Sequence, residues 1–153
     1  MADMRTTFGA LGVLVCTMAI GAAEEPKKVF DAEKLVGDWE YVSGVRAGGV
    51  VEKDHLMGKV TFMKDKVIVP AGPTEKFVMV YKIDGSKTPA TIDIEIKEGP
   101  VNEGKSIGLI ELDDDTLKLI YVIVEDDKTK RPTKFESTKD NGAFLFTLKR
   151  AKK

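Results

Sequence analysis

The sequence predicts an all-β domain: about eight antiparallel strands, joined in order and closed into an up-and-down barrel. Three observations predict it. Residues 91–97 set Ile92, Ile94 and Ile96 against Asp93, Glu95 and Lys97, the period of two of a strand with one buried and one wet face. Short runs rich in β-branched and aromatic residues recur at regular spacing, each stopped by Gly, Pro, Asn or Asp. No amphipathic segment is long enough for the crossover helix that parallel strands need. Such strands close into a barrel or stack as a sandwich, and closure removes the exposed edges.

Size and composition agree. The 153 residues suffice for one domain, and 32% charged with 42% hydrophobic residues is globular composition. Lys plus Arg is 24 against 25 for Asp plus Glu, a net charge of -1. That balance argues against a nucleic-acid partner, which calls for a basic stripe, and gives no reason to expect an anionic membrane.

Residues 1–23 read as a secretory signal. Arg5 precedes the uncharged run 8–20, and the small residues Gly21-Ala22-Ala23 follow. The run falls short of the ~20 residues of a spanning helix, so no transmembrane segment is expected after cleavage. Asp3 weakens the basic start, which a start at Met4 would restore. Cys16, the only cysteine, lies in this run, and Val15 stands where lipidation needs a small residue. Cleavage after Ala23 removes Cys16, and with it any thiol nucleophile, Cys-ligated zinc or redox pair. The expected location is periplasmic or extracellular. Held by its core alone, the domain spans 31–153 behind a polar tether at 24–30.

The elements follow in order. Residues 31–35 form a helical turn with Asp31 as N-cap. Strands are expected at 39–45, 56–63, 66–69, 76–83, 91–97, 106–112, 116–124 and 143–150. Gly48-Gly49, Lys64-Asp65, residues 70–73, Asp84-Gly85, residues 99–104 and Asp113-Asp114-Asp115 separate them. Residues 126–132 are a charged loop, Phe135 lies in a short strand or turn, and Asp140-Asn141-Gly142 is a tight turn.

Alternation assigns the interior. Trp39, Tyr41 and Ser43 share a face, as do Val60 and Phe62, then Phe77, Met79 and Tyr81, the three isoleucines, Leu117, Leu119 and Tyr121, and Phe144, Phe146 and Leu148. These side chains are mostly large and apolar, so a filled core is the default. If a cavity exists, its expected lining is Tyr41, Phe62, Met79, Tyr81, Leu119, Tyr121 and Phe146, with an apolar ligand whose polar end is fixed by a tyrosine.

No catalytic constellation is visible. His55 is the only histidine and sits in the polar stretch Glu52-Lys53-Asp54-His55, without a nucleophile elbow, and reads as a solvated residue. Asp113-Asp114-Asp115 and Asp126-Asp127 read as turn residues rather than a calcium loop, whose spacing they lack. The acids at alternate strand positions do not single out a glycosidase pair. In Arg131-Pro132-Thr133, Pro132 fixes the chain while Arg131 pairs with a carboxylate or carbonyl; ligand gating is the other reading. No phosphate loop, metal site or cofactor is expected.

Gly37-Asp38-Trp39, after the helical turn and opening the first strand, resembles the Gly-x-Trp motif of lipocalins. The wider pattern is similar to a family of secreted lipocalin-like domains abundant in planctomycete bacteria and functionally uncharacterised. Its marks are Leu35-Val36-Gly37-Asp38-Trp39, Pro89-Ala90-Thr91-Ile92-Asp93, Asp115-Thr116-Leu117-Lys118-Leu119, Arg131-Pro132-Thr133-Lys134-Phe135 and Leu148-Lys149-Arg150. Ile110 stands where members often carry an aromatic residue. The resemblance implies a lipocalin-like barrel and export, with no assigned reaction or site. Trp39, the only tryptophan, reads as a plug at the closed end of the barrel, with a stacking platform for a ligand as the other reading, and the resemblance implies that a basic side chain from the last strand covers its indole, Arg150 first and Arg131 second.

The function expected is an exported, non-enzymatic binding module for a small apolar or amphipathic molecule. The alternative is a structural or interaction domain of the cell envelope, with a filled barrel and an envelope protein as partner.

Overall fold

The computed structural model describes residues 29–101 and 103–152. The expected signal with Cys16, most of the tether, Asn102 in the 99–104 break, and Lys153 lie outside the described residues.

Nine strands form one antiparallel sheet: β1 (Gly37–Arg46), β2 (Gly49–Val50), β3 (Lys59–Phe62), β4 (Lys66–Pro70), β5 (Lys76–Asp84), β6 (Ala90–Glu98), β7 (Lys105–Asp113), β8 (Thr116–Ile123) and β9 (Phe144–Arg150). From β3 onward each strand pairs with the next in sequence, and β9 returns to pair with β1. The result is a closed, eight-stranded, lipocalin-like barrel, with β2 an appended stub on the far half of β1. The only helix among the described residues is two turns of 3-10, Ala32–Leu35 and Lys53–His55. The Asp31 side chain caps the first by accepting from the Glu33 N–H at 3.1 Å. None of the described helices is long and apolar enough to cross a membrane.

The period-two readings place most of the inward set. Ile92 and Ile94 are buried, and Ile96 lines the interior. Most strand ends shift by one or two residues from expectation, and Gly49, expected in a break, opens the short β2. The second strand starts at Lys59 rather than residue 56, because Lys53–His55 turns and Gly58 adopts a φ of +88°. Of the two readings for Phe135, a short strand or a turn, the structure has no strand there and places it in a bend.

One face assignment is corrected. Tyr41 pairs with Leu148 and Ser43 with Thr147, so Val42 is one extra residue on β1. This β-bulge reverses the alternation beyond it. Ser43 turns outward with Thr147, while Gly44 and Arg46 come to the inner face opposite Phe146 and Phe144.

The core has two parts. Leu35, Trp39, Phe62, Ile92, Ile110, Leu117 and Leu148 pack one end of the barrel almost without exposure. A smaller cluster lies outside it: Leu109, Ile120, Val122 and Ala143 are buried under the long β8–β9 connection, with Ile107, Phe135 and Leu145 against them. The connection is pinned at both sides. Asn141 Oδ1 accepts from the N–H groups of Thr138 and Ala143, each at 2.9 Å. Arg131 Nη1 donates to the carbonyls of Ile92 and Gly108, each at 2.9 Å, and Nη2 reaches Asp93 at 2.5 Å. The exposed Asp93 pair is screened by solvent, so the two carbonyl bonds are the stronger part of this strap.

Candidate functional site

The packed end is organised around Trp39. Its indole N–H donates to the Leu35 carbonyl at 2.9 Å, tying the first 3-10 turn to the barrel floor. Arg150, its partner on β9, holds its guanidinium carbon 4.4 Å from the ring centroid. That guanidinium also donates to the carbonyls of Lys34 and Val36 and lies 3.4 Å from an Asp115 oxygen. Gly37 has a φ of +137°, and a Cβ there would sit 3.2 Å from Arg150 Nη1, so the glycine serves both the backbone and the approach of the arginine. Arg131 lies elsewhere, on the outer face of β6 and β7.

Above this floor the barrel is not filled. A cavity of about 930 Å³ opens at the other end. The filled core expected from the large inward residues is therefore corrected for this half. Those residues crowd the floor, whereas the small Ser106 is among the residues that line the upper half; beside Gly44 the Phe146 and Leu56 side chains take up the space.

Six of the seven expected lining residues, Tyr41, Phe62, Met79, Leu119, Tyr121 and Phe146, border the cavity. Tyr81 does not, which corrects its assignment. It is buried edge-on against Phe62, ring centroids 5.7 Å apart, and its hydroxyl donates to the Met63 carbonyl. The lining also includes Phe77 and Phe144, which alternation had placed inward. Arg46, Glu52, His55, Glu103 and Lys105 stand at the mouth with the exposed Val50, Val101 and Ile123. Sequence reasoning missed Arg46 because it did not foresee the bulge, and treated His55 as merely solvated because sequence does not show which loop edges a cavity.

Tyr41, Tyr121 and Ser106 carry the hydroxyl groups on the cavity wall. Burial pushes the Tyr41 hydroxyl up to about 12. Burial raises Tyr121 further, with Tyr41 adding to the shift and Arg46 opposing it. Tyr81 is raised as well, by burial and then by Asp65. Each folded phenol thus binds its proton more tightly than the unfolded one. The stability this confers is complete below pH 10, the ordinary value, and drains away as pH climbs toward and past 12. Phenolate absorbance and loss of folded signal are therefore expected to rise together above pH 10. Three phenols titrating near pH 10 on a protein that stays folded would contradict the burial.

The acidic motifs have local roles. Asp114 takes a φ of +50° in the β7–β8 turn, and Asp115 faces Arg150. No cluster of three or more metal-ligating side chains occurs among the described residues. No protein-family model, curated protein or solved structure matches the chain.

Proposed function

We propose that this chain is an exported, non-enzymatic binding module that holds a small apolar or amphipathic molecule within the barrel, and that it belongs with the secreted lipocalin-like domains it resembles. The observation that supports binding is the cavity. Its volume of about 930 Å³ falls within the roughly 300–1,000 Å³ of small-molecule pockets. It is walled mainly by apolar side chains, with the hydroxyls of Tyr41, Tyr121 and Ser106 among them, the pattern of sites that take a ligand by burial and orient it by a few polar contacts. The envelope-interaction alternative presumed a filled barrel, and half of this interior is open.

Native mass spectrometry of the protein purified from its own host tests the reading. The expected result is a second, small mass that is released on denaturation. A bare polypeptide mass, together with no saturable binding of the neutral dye Nile red, would overturn it.

A further inference from the structure

We propose that Asn141-Gly142 is a self-modification site that the fold holds latent: the Asn141 side-chain amide loses ammonia when the β8–β9 connection opens, and the carboxylate left behind no longer clasps that connection.

An asparagine followed by glycine is prone to this reaction, because glycine has no side chain to shield its backbone nitrogen. Once the Gly142 nitrogen gives up its proton, it attacks Asn141 Cγ. The Cγ–Nδ2 bond breaks, and ammonia departs carrying that proton. Water then opens the cyclic imide at either carbonyl, giving aspartate or its β-linked isomer. Water is the only co-reactant, and nothing is oxidised or reduced. The chain has two asparagines and no glutamine, and the other asparagine, Asn102, precedes Glu103, whose side chain shields the nitrogen. Asn141 is therefore the one amide the sequence leaves open to ready attack.

In the folded chain both partners in that reaction are held. Asn141 Oδ1 accepts from the Thr138 and Ala143 N–H groups, Nδ2 donates to the Glu136 carbonyl at 2.8 Å, and the Asn141 N–H donates to Thr138 Oγ1 at 3.1 Å. The attacking nitrogen is tied up as well, since the Gly142 N–H donates to the Thr138 carbonyl at 3.0 Å. These bonds must let go before Cγ and the nitrogen can meet, so the reaction follows the open fraction of molecules. The product cannot restore the clasp. A carboxylate still accepts from Thr138 and Ala143, but it has no proton for the Glu136 carbonyl, and two acceptor oxygens would face each other there. The β-linked isomer also adds a carbon to the backbone just before Gly142, whose φ is +61°. More than a surface turn hangs on this clasp. The Ala143 carbonyl accepts from Ser137 Oγ at 2.6 Å and from the Ala47 N–H at 3.1 Å, and Ser137 Oγ accepts from the Gly48 N–H at 3.1 Å. Asn141 thus fastens the cover of the outer core cluster and the turn between β1 and β2 together.

Mildly alkaline incubation of the protein, native in buffer and unfolded in urea, tests this, with peptide mapping of the mass gained at each asparagine. In urea, Asn141 is expected to react ahead of Asn102. In buffer it is expected to react at least roughly tenfold more slowly than in urea, because only briefly opened molecules are competent. Thr138→Ala removes one hydroxyl of the clasp and should win back part of that difference while the barrel stays folded. Asn141→Asp, one of the two products made directly, should melt a few degrees lower and exchange its amides faster across residues 135–143. Equal rates in buffer and urea would overturn the latency. An Asn141→Asp protein with wild-type melting and exchange would overturn the loss of the clasp. An aspartate variant too loose to fold would be that loss at greater strength, and the wild-type rates decide the latency either way.

Discussion

Replacing Trp39 with alanine is expected to destabilise the protein by about 3–5 kcal/mol, the range for removing a large aromatic from a packed core. The indole is fully buried among the residues of the barrel floor. Its loss opens a cavity, leaves the Leu35 carbonyl without its donor and removes the surface under Arg150. The cation–π contact accounts for roughly 0.5–2 kcal/mol of the total. Melting should fall by on the order of 10 °C or more for a domain of this size. Trp39→Phe should recover most of the packing but not the bond to Leu35, and so fall between. Urea unfolding of the three proteins orders them. An alanine variant that unfolds with the wild type would mean that the floor is not packed around this ring.

Gly108→Ala is expected to be the other severe change. Gly108 is buried on β7 between Ile92 and Tyr121, and a Cβ there would lie 1.9 Å from the Ile120 carbonyl oxygen. That obstacle is backbone, so β7 and β8 must separate for even a methyl group to fit. Overpacking typically costs about 1–3 kcal/mol and occasionally more. Here the upper end is expected, because the Gly108 carbonyl is also one anchor of the Arg131 strap. Amide exchange should quicken in β7, β8 and the connection that covers them. Gly49→Ala is the control: its Cβ would meet only the Arg46 carbonyl at 3.5 Å, an ordinary contact, and should change stability by under about 0.5 kcal/mol. Equal stabilities for the two variants would show that the strands are not so close.

The strand order, the turns and the Asp31 cap were legible because each rests on a local signal, such as alternation at 91–97 or the aspartates at 113–115. The outer layer was not read, although its trace is present. Ile107 and Leu109, Ile120 and Val122, and Leu145 make the outward positions of β7–β9 apolar too, the mark of strands covered on both faces. Phe135 is the residue that covers them. The cavity was hidden for a different reason. Alternation says which side chains point inward, not how wide the barrel is or at which level they sit. Tyr81 shows this well: its inward direction was right, but its level is the floor. The Arg46 mouth position depended on the single extra residue at Val42, which no local pattern announces.

That extra residue has an evolutionary corollary. Were Val42 lost, the pairs from Ser43–Thr147 to Arg46–Phe144 would stay as they are, β1 would run in strict alternation, and the guanidinium at 46 would keep its place on the inner wall. A deletion of one codon at this point would thus shorten the strand and leave the charged gateway where it is. Among descendants of this gene, the length of β1 is free to change by one residue here without altering what the opening presents.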